Sequence, residues 1–275
     1  MCTLDGCGPQ KVMPPIRLKE TDRRAFLTGA ISLPLATVLA YPELAAAQAA
    51  NLEPVSIDTK GGRKALGVIA MPETLPAPAV ILIHEWWGLN DQIKSVAAEL
   101  AKQGFIALAA DLYDGKVAAD PDEARTLTRN LDAEAATDSL VSLVEFLKTH
   151  ENSNGKVAAV GWCFGGGWSL NTAIAAPLDA AVIYYGRVNK NAGQLASVSA
   201  PILGHFGTED RSINPRMVGG FEREMAKAGK ADQLTVHWYT ANHAFANPTG
   251  SRYDEDDAAL AWARTLAFFH ENLSG

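Results

Sequence analysis

The sequence predicts one α/β domain, a mostly parallel sheet with helices on both faces, preceded by a segment of a different character. Two observations predict the fold. Short apolar runs without alternation recur along the chain, as strands buried on both faces require. Stretches of helical spacing separate most of them, the pattern of strand–helix–strand crossovers. A third observation sets the domain count: no internal repeat or linker interrupts residues 50–275.

The elements follow in order. Val55–Asp58 and Ala65–Met71 flank Gly61-Gly62 and suit an antiparallel hairpin. Ala79–His84 reads as a buried strand, Ile93–Lys102 as a helix stopped near Gly104, and Phe105–Ala110 as the next strand. Asp120-Pro121 supplies a cap and an N1 proline to open a helix, and Leu140, Leu143, Val144 and Leu147 line one helical face. Val157–Val160, Ala180–Tyr185, Ile202–Phe206 and Leu234–Tyr239 are expected strands. Helices are expected at Gly166–Ala176, around Met217–Ala228, and from Asp254 to about His270 with Leu260, Leu266 and Phe269 as its apolar positions. The acidic run Asp254–Asp257 reads as favourable charge at a helix N-terminus; no histidine at ligand spacing accompanies it, so no metal site is expected.

Residues 1–49 read as an address rather than as part of the domain. Thr21-Asp22-Arg23-Arg24-Ala25-Phe26-Leu27 resembles a twin-arginine export motif. A diluted apolar stretch follows to Ala40, and Ala45-Ala46-Ala47 or Ala47-Gln48-Ala49 offers a cleavage site. The alternative is an amphipathic N-terminal helix of the folded protein. Removal of this segment would take Cys2 and Cys7 with it and leave Cys163 as the single thiol. The export machinery is then an expected partner, and the periplasm the expected destination.

With 275 residues, 48% hydrophobic and 20% charged, the chain has an ordinary globular composition. A net charge of −7 argues against a surface that must neutralise nucleic-acid phosphates. No uninterrupted apolar run reaches the roughly 18 residues of a membrane span. Three cysteines make neither a disulfide framework nor a zinc cluster.

Gly161-Trp162-Cys163-Phe164-Gly165 lies between an expected strand and an expected helix. It fits the nucleophile elbow, whose central residue takes a strained conformation on a sharp turn. The helix N-terminus beside Cys163 favours a thiolate. Such a nucleophile needs a base and a group that orients the base, in the chain order nucleophile, acid, histidine. Asp210 and His243 fall in that order just past expected strand ends, with Glu209 as the rival acid. Two backbone amides, those of Trp86 and Phe164, are the expected oxyanion donors. Trp86, Trp87, Trp162 and Trp168 flank these loops and are candidates for the pocket wall.

These residues resemble the dienelactone hydrolase family of α/β-hydrolases (carboxymethylenebutenolidase). The similarity runs from about Val55 to Phe269 through His84-Glu85-Trp86-Trp87-Gly88-Leu89-Asn90, Asp111-Leu112-Tyr113, Asn154-Gly155-Lys156-Val157, Gly161-Trp162-Cys163-Phe164-Gly165-Gly166, Tyr184-Tyr185-Gly186 and His237-Trp238-Tyr239 leading to His243-Ala244-Phe245-Ala246. The resemblance implies a Cys163–His243–Asp210 triad that hydrolyses enol lactones or esters through a thioester, without a cofactor. It also implies that Glu85 helps control the protonation of Cys163; a carboxylate tied to the loop backbone is the alternative. Where the family's dienelactone enzymes carry two arginines that clamp a substrate carboxylate, this chain has Gly115 and Asn247. An aromatic wall of Trp86, Trp87, Tyr113, Tyr185 and Phe245, with Asn247, is therefore expected to favour neutral esters or lactones. Lys116 or Arg252 remains able to restore the charge. A thiol-based redox protein and a catalytically silent binding protein on the same fold are the competing readings.

Overall fold

The computed structural model describes residues 19–28 and 35–274. Helices α1 (Glu20–Leu27), α2 (Leu35–Ala40) and α3 (Pro42–Ala49) precede the hairpin β1 (Glu53–Asp58) and β2 (Lys64–Ala70). Then come β3 (Ala77–Ile83), α4 (Asp91–Lys102), β4 (Ile106–Asp111), α5 (Pro121–Asn130), α6 (Ala133–Thr149), β5 (Ser153–Trp162), α7 (Phe164–Ala175) and β6 (Ala180–Tyr184). The chain closes with the short α8 (Ala192–Leu195), β7 (Ile202–Gly207), α9 (Pro215–Lys227), a single 3₁₀ turn, β8 (Leu234–Tyr239) and α10 (Glu255–Leu273). The strands form one eight-stranded sheet in the order β1-β2-β4-β3-β5-β6-β7-β8. The β1–β2 and β2–β4 pairs are antiparallel, and every other pair is parallel.

The continuous apolar strands have a simple cause: both faces are covered, so both parities of side chain are buried. Ile81, Ile83, Ala159 and Ile183 join Leu140 and Leu143 of α6 and Phe221 of α9 in one core. Their neighbours Val80, Leu82, Val160 and Val182 join Val96 and Leu100 of α4 and Phe269 of α10 in the other. The caps hold as expected. Asp120 accepts from the amides of Asp122 and Glu123 behind Pro121, and Asp254 accepts from that of Asp257. A second cap, Asp132, separates α5 from α6. Leu260 departs from expectation: it is exposed, and α10 buries Ala261, Thr265, Phe269 and Leu273, a strict four-residue stripe.

The parts of the expected export segment at residues 1–18 and 29–34 lie outside the described residues. The remainder is helical, and α2 and α3 pack on α4 with Val38, Leu44 and Ala45 buried. Gln92 donates to the Leu39 carbonyl at 3.2 Å and Gln48 donates to that of Ser95 at 3.3 Å.

A buried polar network ties α10 to the sheet behind the carboxyl edge. Arg264 donates to the Tyr239 hydroxyl, which lies 2.8 Å from His205 Nδ1; Nε2 lies 3.1 Å from Thr265 Oγ1, itself 2.7 Å from the Tyr184 hydroxyl. Burial, with the positive charges of His237 and Arg264 adding to it, pushes His205 from 6.5 down to about 3. The unfolded chain therefore binds this proton first as pH falls, so the contribution is intact above 6.5 and is lost between 6.5 and about 3. From pH 7 to pH 5 this ring alone should lower stability by about 2 kcal/mol. Urea unfolding of the wild type and of His205→Asn, which does not titrate, should show the pH-dependent fall shrinking by that amount. An equal fall in both proteins would contradict the assignment.

Candidate active site

The elbow forms because its neighbours have no side chains. A Cβ on Gly161 would sit 2.1 Å from the Gly165 carbonyl oxygen, and one on Gly165 would sit 2.1 Å from that of Ile83. With those contacts open, β5 runs directly into α7 and Cys163 takes φ +54°, ψ −111° as the residue before the helix. This left-handed φ is costly for a side chain with a Cβ, and the packing around the turn enforces it. The first turn of α7 carries no acidic residue, so its positive end faces Cys163 unopposed.

His243 and Asp210 come from loops past β8 and β7. His243 Nε2 lies 3.0 Å from Cys163 Sγ, and Nδ1 lies 2.6 Å from Asp210 Oδ2. Asp210 Oδ1 accepts from the amides of Ser212 and Ile213 at 2.7 and 2.9 Å, which fixes the carboxylate plane. Glu209 points elsewhere and accepts from Asn242 at the exposed rim. Geometry thus separates the two acids. Burial alone would push the Asp210 carboxyl up, but hydrogen bonds from His243 and the two amides hold it below its usual value. Burial alone would lower His243; the Cys163 charge and the Asp210 hydrogen bond outweigh it and raise the imidazole to about 10. That balance favours the charged imidazolium at His243.

Glu85 is buried beside this pair and accepts from the Asn247 side chain at 2.9 Å. Burial raises its carboxyl, against the pull of His243, Asn247 and Arg252. The Asn247 carbonyl oxygen accepts from the Thr249 amide and hydroxyl, so both ends of this amide are used within the protein. Arg252 is buried within electrostatic reach of Asp210, Cys163, Tyr185 and Glu85, whereas Lys116 is exposed.

The aromatic residues divide into two groups. Trp86 and Trp87 are half-buried and meet edge to face at 4.9 Å. Tyr185 is buried with its ring 5.2 Å from His243, and among the described residues its hydroxyl has no hydrogen-bond partner. Phe245 is fully buried between Tyr185 and Tyr239, and Tyr113 is buried against Phe164 with its hydroxyl on Thr128. Phe245 therefore backs the site from behind. Trp162 walls an apolar cavity of about 380 Å³ together with Tyr253, Trp262 and Leu266, roofed by Leu35 and Leu39 of α2. Neither this cavity nor its roof carried a signal in the linear sequence. Among the described residues no group of His, Cys, Asp or Glu side chains is arranged to hold a metal, and Cys2 and Cys7 lie outside them.

The Dienelactone hydrolase family matches residues 66–273. The chain is 31% identical over 231 residues to the carboxymethylenebutenolidase of Pseudomonas putida, covering 78% of this chain and 95% of that one. It is 34% identical to protein usf of Aquifex pyrophilus over 78% of this chain and 96% of that protein. Among solved structures, a dienelactone hydrolase-like promiscuous phosphotriesterase from metagenomic libraries superposes with a TM-score of 0.71 at 27% identity, covering 81% of this chain and 99% of its own. A dienelactone hydrolase from Klebsiella pneumoniae, at 24% identity and TM-score 0.71 over 80% of this chain and 99% of its own, shares the fold. With the family match spanning most of the chain, this protein belongs to the dienelactone hydrolase family and is a lactone or ester hydrolase.

Proposed function

We propose that hydrolysis runs through Cys163, His243 and Asp210. The carrying observation is the linear relay Sγ–Nε2 at 3.0 Å and Nδ1–Oδ2 at 2.6 Å. The Cys163 thiolate adds to the substrate carbonyl, and the resulting oxyanion takes hydrogen bonds from the Trp86 and Phe164 amides. The intermediate collapses to a thioester as the His243 imidazolium protonates the departing alkoxide. His243, now neutral, takes a proton from water, whose oxygen attacks the thioester. Release of the acid regenerates thiolate and imidazolium, while Asp210 holds Nδ1–H throughout. Cys163→Ala should be folded and inactive, and His243→Ala should lose activity by roughly 10³ or more, measured as kcat/KM on a short ester. Full activity in Cys163→Ala would contradict the triad.

The preferred substrate on this reading is neutral. Gly115 has no side chain, Asn247 is committed to Glu85 and Thr249, and Arg252 already faces the acids Asp210 and Glu85. A buried arginine freed for a carboxylate would give two charge-assisted hydrogen bonds of about 1.5–3 kcal/mol each. Lacking one, the enzyme should turn over a lactone methyl ester with higher kcat/KM than the matching free acid; the reverse order would defeat this preference.

Export by the twin-arginine route is the reading of residues 1–49 that the paired Arg23-Arg24, the apolar stretch and the alanine-rich end support. On it, cleavage near Ala47 or Ala49 would remove α2 and with it the roof of the apolar cavity beside Trp162. Replacing both arginines by lysine should leave the precursor in the cytoplasm, and unchanged periplasmic recovery would contradict the route.

A further inference from the structure

His84 stands at the end of β3, fully buried, and the triad chemistry leaves it unused. Its two ring nitrogens meet backbone groups of opposite kind. Nδ1 lies 2.6 Å from the Glu85 carbonyl oxygen, which can only accept, so Nδ1 carries the proton. Nε2 receives the Leu112 amide at 3.2 Å, which can only donate, so Nε2 carries none. A protonated ring would set two N–H groups against each other at Leu112. Burial likewise pushes this imidazole below its ordinary value.

The grip on Glu85 matters because of what the peptide unit carries at its other end. The Glu85 carbonyl and the Trp86 N–H belong to one planar, trans peptide, so fixing the oxygen aims the amide the opposite way. A hydrogen bond to the oxygen also polarises the unit and strengthens its N–H as a donor. The Gly88 amide adds a longer bond, 3.3 Å, to the same oxygen. Among the described residues no protein acceptor takes the Trp86 amide, and Phe164, first in α7, has no partner within the helix. The His84 ring also stacks on Phe164, with centroids 5.8 Å apart and planes at 15°. One buried side chain thus holds the peptide unit that carries one expected oxyanion donor and stacks on the residue that supplies the other.

We propose that His84 is a positioning residue for the oxyanion, its Nδ1–H holding the Glu85–Trp86 peptide so that the Trp86 amide faces the carbonyl under attack. This rests on the reading of Trp86 N–H as an oxyanion donor. Asparagine can place an amide N–H where Nδ1 stood, whereas glutamine reaches toward Nε2 and leaves Glu85 unheld. The test compares an ester with its thionoester, whose sulfur is the poorer hydrogen-bond acceptor, in the wild type, His84→Asn and His84→Gln. The wild type should favour the oxygen ester in kcat, His84→Asn should keep that preference within about threefold, and His84→Gln should lose it at least tenfold with KM little changed. A preference intact in His84→Gln, or lost equally in both variants, overturns the role of His84. Absence of the preference in the wild type instead overturns the oxyanion reading beneath it. If His84→Gln does not fold, the ring ¹⁵N shifts of the wild type decide: they should place the single proton on Nδ1, and a proton on Nε2 contradicts the proposal.

Discussion

The backbone of Cys163 at φ +54° is the constraint from which the rest of the site follows. A cysteine is held there only because Gly161 and Gly165 let the strand, the helix and the end of β3 approach to distances that a Cβ forbids. The turn projects the sulfur from the carboxyl edge of the sheet, beside the positive end of α7. It also leaves the Phe164 amide, first in α7, without a partner inside the helix. The strained residue and the helix N-terminus that faces its sulfur are therefore two results of a single backbone geometry. The two buried cores exist in part to hold that geometry, since strain of this kind persists only when its surroundings over-determine it.

Electrostatics then decides how the thiol behaves. His243, Asp210, Glu85 and Arg252 are gathered, buried, around the half-buried Cys163. An isolated charge there would be neutralised, yet the polar groups meet one another in turn: Cys163 Sγ against His243, the His243 imidazolium against Asp210, Asp210 under two amides. Glu85 differs. Its direct partner is the neutral amide of Asn247, so burial prevails and its proton is held more tightly than usual.

Much of this could be read from the linear chain, and the reasons are local. Continuous apolar runs gave the buried strands, and Asp120-Pro121 and Asp254 marked helix starts through bonds made within one turn. The elbow glycines mark a steric necessity, and Asp210 and His243 follow strands whose ends must lie on one edge of the sheet. What escaped depended on contacts far apart in sequence. Asn247 reaches Glu85 across 162 positions, and His84 meets the Leu112 amide across 28. Neither pairing has a spacing or composition that reveals it. Leu260 was placed on the wrong face because the stripe that buries α10 begins with Ala261 and Thr265, which carry little apolar signal, before reaching Phe269 and Leu273. The packing of α2 and α3 on α4 likewise arises from side chains whose local pattern reads equally well as an apolar leader.

The central claim is that the sulfur of Cys163 becomes acylated during turnover. Acid-quenching the enzyme during steady-state hydrolysis of a slowly deacylated ester, followed by intact-mass and peptide mass spectrometry, tests it directly. The account predicts one acyl group per chain, labile to hydroxylamine and located on the peptide containing Cys163. Steady turnover with no acylated species, or an acyl group on any other residue, would contradict it.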